Sequence, residues 1–336
     1  MSATTAPSGA GALWDRVRTY SPPGRYLPVI GTFALFVGMF ALGGIQYDEF
    51  ADTQNVLNLL RDNSFLIVLA VGMTFVILTG GIDLSVGSVA ALSTMILAKT
   101  LDMGWSTYAA MGAVLVAGTL FGALMGLLIH YLDIQPFIAT LAGLFLARGI
   151  TYLISTDQIA IKDERFFELA FKQVTLAGGY FTYWTVVVAL LTVVVASYVL
   201  ARTRFGRTVY AVGGNEASAM LMGLRVGAVK VGVYAISGFC AALAGILYGL
   251  FLLSGTSRAG IGWELDAIAA VVIGGTLLTG GRGFVIGSFI GVLVLGTIQT
   301  LINFDGSLDP AWIRIVIGVL LLVFVVIQRL MTRRQS

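Results

Sequence analysis

The chain has 336 residues, of which 58% are hydrophobic and 11% charged, and its mean hydropathy is +0.94. Soluble domains carry about 25% charged residues, so this composition belongs to a polytopic membrane protein, and the slight net charge of +3 points to no nucleic-acid partner. One cysteine, Cys240, cannot form an intramolecular disulfide, and one histidine, His130, leaves a zinc or haem site almost nothing to draw on.

Met1–Gly24 is small, polar and proline-bearing, with Arg16, Arg18 and Arg25 ahead of the first apolar run. It lacks a cleavage-site pattern beside a short apolar core, so residues 1–26 are expected to form a cytoplasmic tail and not a signal peptide. Leu27–Ile45 is span 1. The acidic stretch Tyr47–Asn63 can hold a short interfacial helix at Asn55–Leu60. Phe65–Gly80 and Ser85–Ala98 are spans 2 and 3, both short against the roughly 20 residues a bilayer requires. Short, glycine-interrupted runs of this kind can be discontinuous helices that meet inside the membrane. Ala109–Tyr131 and Phe137–Ile154 are spans 4 and 5. Ser155–Phe181 is the longest polar connection, and Trp184–Ala201 is span 6. Gly232–Leu253, the short Glu264–Leu278, Phe284–Asn303 and Ala311–Leu330 are spans 7 to 10, before a tail at 331–336.

The expected fold is therefore an all-α polytopic membrane protein of about ten transmembrane helices, with short or broken helices at spans 2, 3 and 8. An even count puts both termini on one side. Arg202, Arg204, Arg207, Arg225, Lys230 and Arg282 then fall with them, and most acids fall opposite, so the positive-inside rule makes that side cytoplasmic.

Between spans 6 and 7 lies Thr203–Val226, the one long polar interruption of the second half. Asn215 can N-cap a short helix with Glu216 in its first turn, and Gly223 can close it as a C′ residue. Ala217, Met220, Leu221 and Leu224 fall at i, i+3, i+4 and i+7, one apolar stripe. Gly213-Gly214 permits a sharp backbone break ahead of it. The stretch reads as an amphipathic helix lying across the membrane surface, or as a basic loop with an incidental helix.

Leu78-Thr79-Gly80-Gly81 recurs as Leu278-Thr279-Gly280-Gly281, and Gly87-Ser88 as Gly287-Ser288, in one register. This is either an internal repeat or chance similarity in glycine-rich apolar sequence. No nucleophile–base set, metal cluster or phosphate-binding loop is present, so catalysis and ATP binding by a P-loop are not expected of this chain. Asp83 sits at the break between spans 2 and 3, where Asp83 or Ser85 can cap the next helix. Alternatively, with Gly80, Gly81 and Ser85, Asp83 forms a hinge or polar site in a transport path, since carboxylates at membrane depth are costly. Arg148, nearer one end of span 5, is expected to snorkel outward. Polar groups that could meet a polar substrate are few: Asn63, Thr74, Gln135, Thr140, and the i, i+4 pair Gln299 and Asn303. Each could equally be a helix–helix hydrogen bond.

GMTFVILTGGIDLSVGSV (Gly72–Val89), TRFGRTVYAVGGNEASAMLMGL (Thr203–Leu224) and ELDAIAAVVIGGTLLTGGRG (Glu264–Gly283) resemble the permeases of bacterial sugar ABC importers of the ribose, xylose and galactofuranose type. The resemblance runs from about Arg61 to Arg329, and LINFDGSLDPAWIRIVIGVLLLVFVVIQR resembles the galactofuranose members in particular. It implies a single permease domain over 27–330 in the bacterial inner membrane, with a monosaccharide, galactofuranose, as substrate. It implies a separate ABC ATPase subunit that binds ATP and Mg, a second permease subunit that is identical or related, and a periplasmic sugar-binding protein. No cofactor is implied for this chain, and its remaining surface would meet membrane lipid. The resemblance places the coupling helix at Gly213–Leu224. The ATPase-coupling residues are then Arg204, Gly206, Arg207, Gly213, Gly214, Asn215, Glu216, Ala217, Leu221 and Gly223. A rival from another class is an ion-coupled secondary sugar transporter using Asp83 as its proton or sodium site; it would need more intramembrane carboxylates than this chain carries.

Overall fold

The computed structural model describes residues 26–47, 49–306, 309 and 311–333. The expected N-terminal tail, apart from Tyr26, and residues 334–336 lie outside them. The helices are α1 Leu27–Gln46, α2 Thr53–Asp62, α3 Ser64–Leu78, α4 Val86–Asp102, α5 Thr107–Tyr131, α6 Pro136–Ile154, α7 Glu164–Phe171, α8 Trp184–Arg202, α9 Arg204–Gly214, α10 Glu216–Leu221, α11 Val226–Leu252, α12 Trp263–Ile273, α13 Val285–Asp305 and α14 Ala311–Arg333. Proline opens α1 and α6 at a first-turn position, where its missing N–H costs nothing. The polar connection before α8 holds α7 and three short strands, which enter two small antiparallel pairs. One joins β1 Ile159–Ala160 to β4 Ser254–Gly255, and the other joins β2 Gln173–Thr175 to β3 Phe181–Tyr183.

Among the described residues six helices, α1, α5, α6, α8, α11 and α13, are long and apolar enough to cross a membrane; α2 and α3, bent by 56° at Asn63, make a seventh if they count as one span. Several boundaries differ from the sequence reading, among them three at α11, α12 and α14. Helix α11 begins at Val226, six residues before Gly232, because the polar Lys230 is carried within it. Helix α12 stops at Ile273, since Gly275, Gly280 and Gly281 all take left-handed φ and turn the chain before Leu278. Helix α14 runs through Arg333, into the expected tail.

Helix α11 is the central post and packs against α3, α4 and α5. Its contact with α5 is a glycine seam: Gly118, Gly122 and Gly126 recur every four residues and face Gly238, Ala242 and Val231. A Cβ at Gly122 would overlap the Tyr234 carbonyl, so the two backbones touch. Lipid tails give apolar helices little reason to associate, and close backbone approach supplies dispersion contact instead.

The two Thr-Gly-Gly motifs turn alike at their first glycine. Gly80 (φ 79°) and Gly280 (φ 84°) each donate their N–H three residues back, to Ile77 O at 2.9 Å and to Leu277 O at 3.0 Å. The turns also touch, because Gly281 N–H donates to Leu78 O at 2.9 Å.

Candidate functional site

Thr203 separates α8 from α9 and caps the latter, accepting from Gly206 N–H at 3.1 Å. Gly206 has no room for a side chain, because a Cβ would strike the Val199 and Leu200 carbonyls. Asn215 is extended and its side chain accepts from Ser218 N–H at 2.8 Å, which starts α10. At the far end Gly223 (φ 75°) donates to Met220 O and Leu224 donates to Ala219 O, the paired bonds of a Schellman closure. Both caps fall where the sequence placed them. Of the six-residue helix only Ala219 is buried. Met220 is 56% exposed, Leu221 89% and Met222 67%, so the apolar side faces away from the protein. Arg204, Arg207, Glu216 and Ala217 are also exposed.

Gly213-Gly214 is not the break. Both glycines are helical, the last residues of α9, and the chain turns at Asn215. What Gly213 supplies is proximity: a Cβ there would overlap Leu78 O and the Gly281 N–H, so the end of α9 lies directly on the junction of the two turns. Tyr210, one turn earlier, donates to Gly283 O at 2.8 Å. Burial raises its phenol above the ordinary value, which keeps it a donor at neutral pH.

After the first turn the chain runs back beside α3. Asp83, 1% exposed, accepts from Ser85 N–H at 3.0 Å and Ser85 Oγ at 2.6 Å on one oxygen, and from Ser237 Oγ at 2.7 Å on the other. Neither Asp83 nor Ser85 accepts from the first turn of α4, so the simple capping reading fails. Asp83 closes a local turn and ties it to α11. Thr140 donates to Ile82 O at 3.2 Å, Tyr234 donates to the same carbonyl at 3.4 Å, and Gly81 packs on the Tyr234 hydroxyl. Gly80, Gly81, Asp83, Ser85 and Thr140 thus share one polar junction of α3, α4, α6 and α11.

The remaining polar candidates lie elsewhere. Thr74 is fully buried and hydrogen-bonds Ser288 of α13 at 2.8 Å. Asn63 is buried at the α2–α3 corner under Gly296, its amide donating to Leu59 O at 2.9 Å. Gln135 and Asn303 are exposed and Gln299 half-buried. Arg148 does not simply reach outward. Its Nη1 donates to Ser257 O at 2.8 Å and Ala259 O at 2.7 Å, clamping the non-helical segment before α12. Sequence reasoning missed Lys230, Tyr234 and Ser237. Their i, i+4, i+7 spacing on one face of α11 was a readable signal.

Residues 55–325 match the family described as the branched-chain amino acid transport system / permease component. The chain belongs to this family. It is 47% identical over 309 residues to the inner membrane ABC transporter permease protein YjfF of Escherichia coli K12, covering 92% of this chain and 93% of that one. It is 40% identical to the fructose import permease FruG of Bifidobacterium longum, over 91% of each chain. It is 41% identical to the ribose import permease RbsC of Haemophilus influenzae, over 83% of this chain and 87% of that one. The protein is therefore a sugar ABC importer permease component, the non-catalytic membrane part of such a transporter, whose partners in general are an ATPase and a binding protein. Nothing in these relatives favours the ion-coupled reading of Asp83.

Proposed function

We propose that this chain carries a monosaccharide, galactofuranose, across the bacterial inner membrane by alternating access, with α10 as its coupling helix. The observation that carries the reading is the doubly capped α10, whose Met220, Leu221 and Met222 side chains are exposed at the end of the bundle. An apolar surface of that kind on a polar connection needs a partner, and an ATPase groove provides one. ATP and Mg belong to that ATPase. The sugar assignment rests on the sequence resemblance and on relatives named for ribose and fructose import.

The single permease domain spans 27–330, with its coupling region at 203–226 and both termini cytoplasmic. Counting α3, α4, α12 and α14 as broken or short spans restores about ten crossings. A second permease subunit, identical or related, completes the path. Asp83, Ser85, Gly80, Gly81 and Thr140 form a hinge rather than a sugar contact, because their polar groups already satisfy one another. Gln135, Gln299 and Asn303, with exposed or half-exposed side chains, are the candidates for the path itself; Asn63 and Thr74 support it from within.

The test is reconstitution of the complete importer in proteoliposomes with labelled galactose, ribose and fructose. Uptake that needs ATP and the binding protein supports the reading. Uptake that persists without ATP and collapses with the ion gradient overturns it.

A further inference from the structure

The two copies of the Gly-Ser motif form the same kind of seam. In the second copy Gly287 of α13 lies backbone to backbone against Gly274, just past α12, and a Cβ on either would strike the other's carbonyl. In the first copy Gly87 of α4 lies in the same way against Gly260, in the non-helical segment before α12. Their serines differ. Ser288 Oγ pairs with Thr74 Oγ1 at 2.8 Å and donates to Phe284 O at 3.5 Å. Ser88 is 1% exposed, and its hydroxyl has no hydrogen-bond partner among the described residues. Buried hydroxyls without partners are rare, because each forfeits a hydrogen bond it had in water.

A second such atom borders the same seam. Glu264 Oε2 is enclosed and has no hydrogen-bond partner among the described residues. It lies against Gly87, where a Cβ would strike both this oxygen and the Gly260 carbonyl. Arg148 attracts the carboxylate, but its Nη1 is committed to the Ser257 and Ala259 carbonyls of the segment that carries Gly260. Ser88 lies about 21 Å along α4 from its end at Asp102, which puts the seam at membrane depth. A carboxylate there is costly and belongs beside protein or water rather than lipid. An acceptor and a hydroxyl, both enclosed and both without partners, suit a ligand that brings hydroxyls of its own. Both faces of the seam are glycine, so parting it breaks close backbone contact and no side-chain interlock.

We propose that the Gly87–Gly260 seam is a sugar passage held shut in this conformation, in which Ser88 Oγ and Glu264 Oε2 take the sugar's hydroxyls once the seam parts. The proposal rests on the reading of sugar import by alternating access. It gives the two partnerless atoms their partners in the other state of the cycle, and it explains why Ser288, at the matching position of the second copy, is already paired.

State-dependent thiol labelling tests it. Ser88→Cys and, separately, Glu264→Cys each add one thiol beside the buried native Cys240, so the wild-type chain reports the background. The permease, purified with its ATPase and binding protein into lipid nanodiscs, is treated with aminoethyl methanethiosulfonate at rest and during ATP turnover. D-galactose, D-ribose, D-fructose or, at equal osmolality, betaine is then added. Ser88→Cys should label at the background rate at rest and at least tenfold faster during turnover, and Glu264→Cys should also label faster during turnover. The sugar that the wild-type importer takes up should slow this labelling several-fold where betaine does not. If neither thiol reacts faster during turnover, or the imported sugar protects no better than betaine, the passage is overturned and sugar import stands. If the wild-type importer takes up none of the three sugars, the import reading fails and the passage fails with it.

Discussion

The Glu216 carboxylate, in the first turn of α10, lies 2.6 Å from the Lys230 ammonium of α11. Lys230, Tyr234 and Ser237 share a face of α11, and the last two bond Ile82 and Asp83. A push on α10 therefore reaches the α3–α4 turn through about two turns of one rigid helix. The Lys230 side chain is 19% exposed and that of Glu216 43%, so the pair adds on the order of 1 kcal/mol or less to stability. Its expected role is transmission. Lys230→Gln should lower sugar transported per ATP hydrolysed several-fold while the complex still assembles, and Glu216→Lys with Lys230→Glu should recover most of the loss. Coupling ratios in proteoliposomes check this.

The two adjacent glycines of α9 should behave differently. Gly213→Ala places a methyl group into Leu78 O and the Gly281 amide, and overpacking of that kind costs about 1–3 kcal/mol. Gly214 has open space around it, so Gly214→Ala should be neutral or slightly stabilising. Thermal unfolding of the two purified variants separates them.

That contrast also marks what the sequence could and could not tell. Helix positions were legible because long apolar runs leave little choice, and the α10 caps were legible because Asn215 and Gly223 carry local geometry. Gly213-Gly214 was misread because a glycine pair signals freedom in sequence, whereas here both are helical and the missing side chain of Gly213 serves close packing against residues far along the chain. The contact between the repeated turns, the Arg148 clamp and the Ser237–Asp83 bond are long-range, and a hydropathy pattern carries no record of them.

Asp83 should tolerate a change of shape less than a change of charge. Asp83→Leu strands the Ser85 N–H and the Ser85 and Ser237 hydroxyls, at about 1–3 kcal/mol for each buried group left unpaired. Asp83→Asn keeps an oxygen for Ser85 and turns its amide towards Ser237, whose hydroxyl can accept. The leucine variant should lose assembled complex and the asparagine variant should retain it, as judged by yield and monodispersity. Equal loss in both would show that the charge itself holds the turn.

The glycine seam should be intolerant from both sides. Gly122→Ala and Gly238→Ala each drive a methyl group into the backbone of the facing helix, and each should cost about 1–3 kcal/mol in the solubilised protein. Gly112→Ala, on the same helix α5 with nothing near it, is the matched control and should leave the unfolding midpoint unchanged. Equal midpoints for all three would mean that α5 and α11 can separate at no cost.

The central claim is that α10 meets the ATPase. Leu221 is the most exposed large apolar residue of the described chain at 89%, and the native cysteine is buried, so Leu221→Cys can be labelled alone with a benzophenone maleimide. Illumination of the assembled importer should cross-link the permease to the ATPase subunit in high yield, and Leu221→Asp should reduce ATP-driven uptake by tenfold or more. Cross-links only to lipid or to a second permease, with uptake intact in Leu221→Asp, would contradict the assignment.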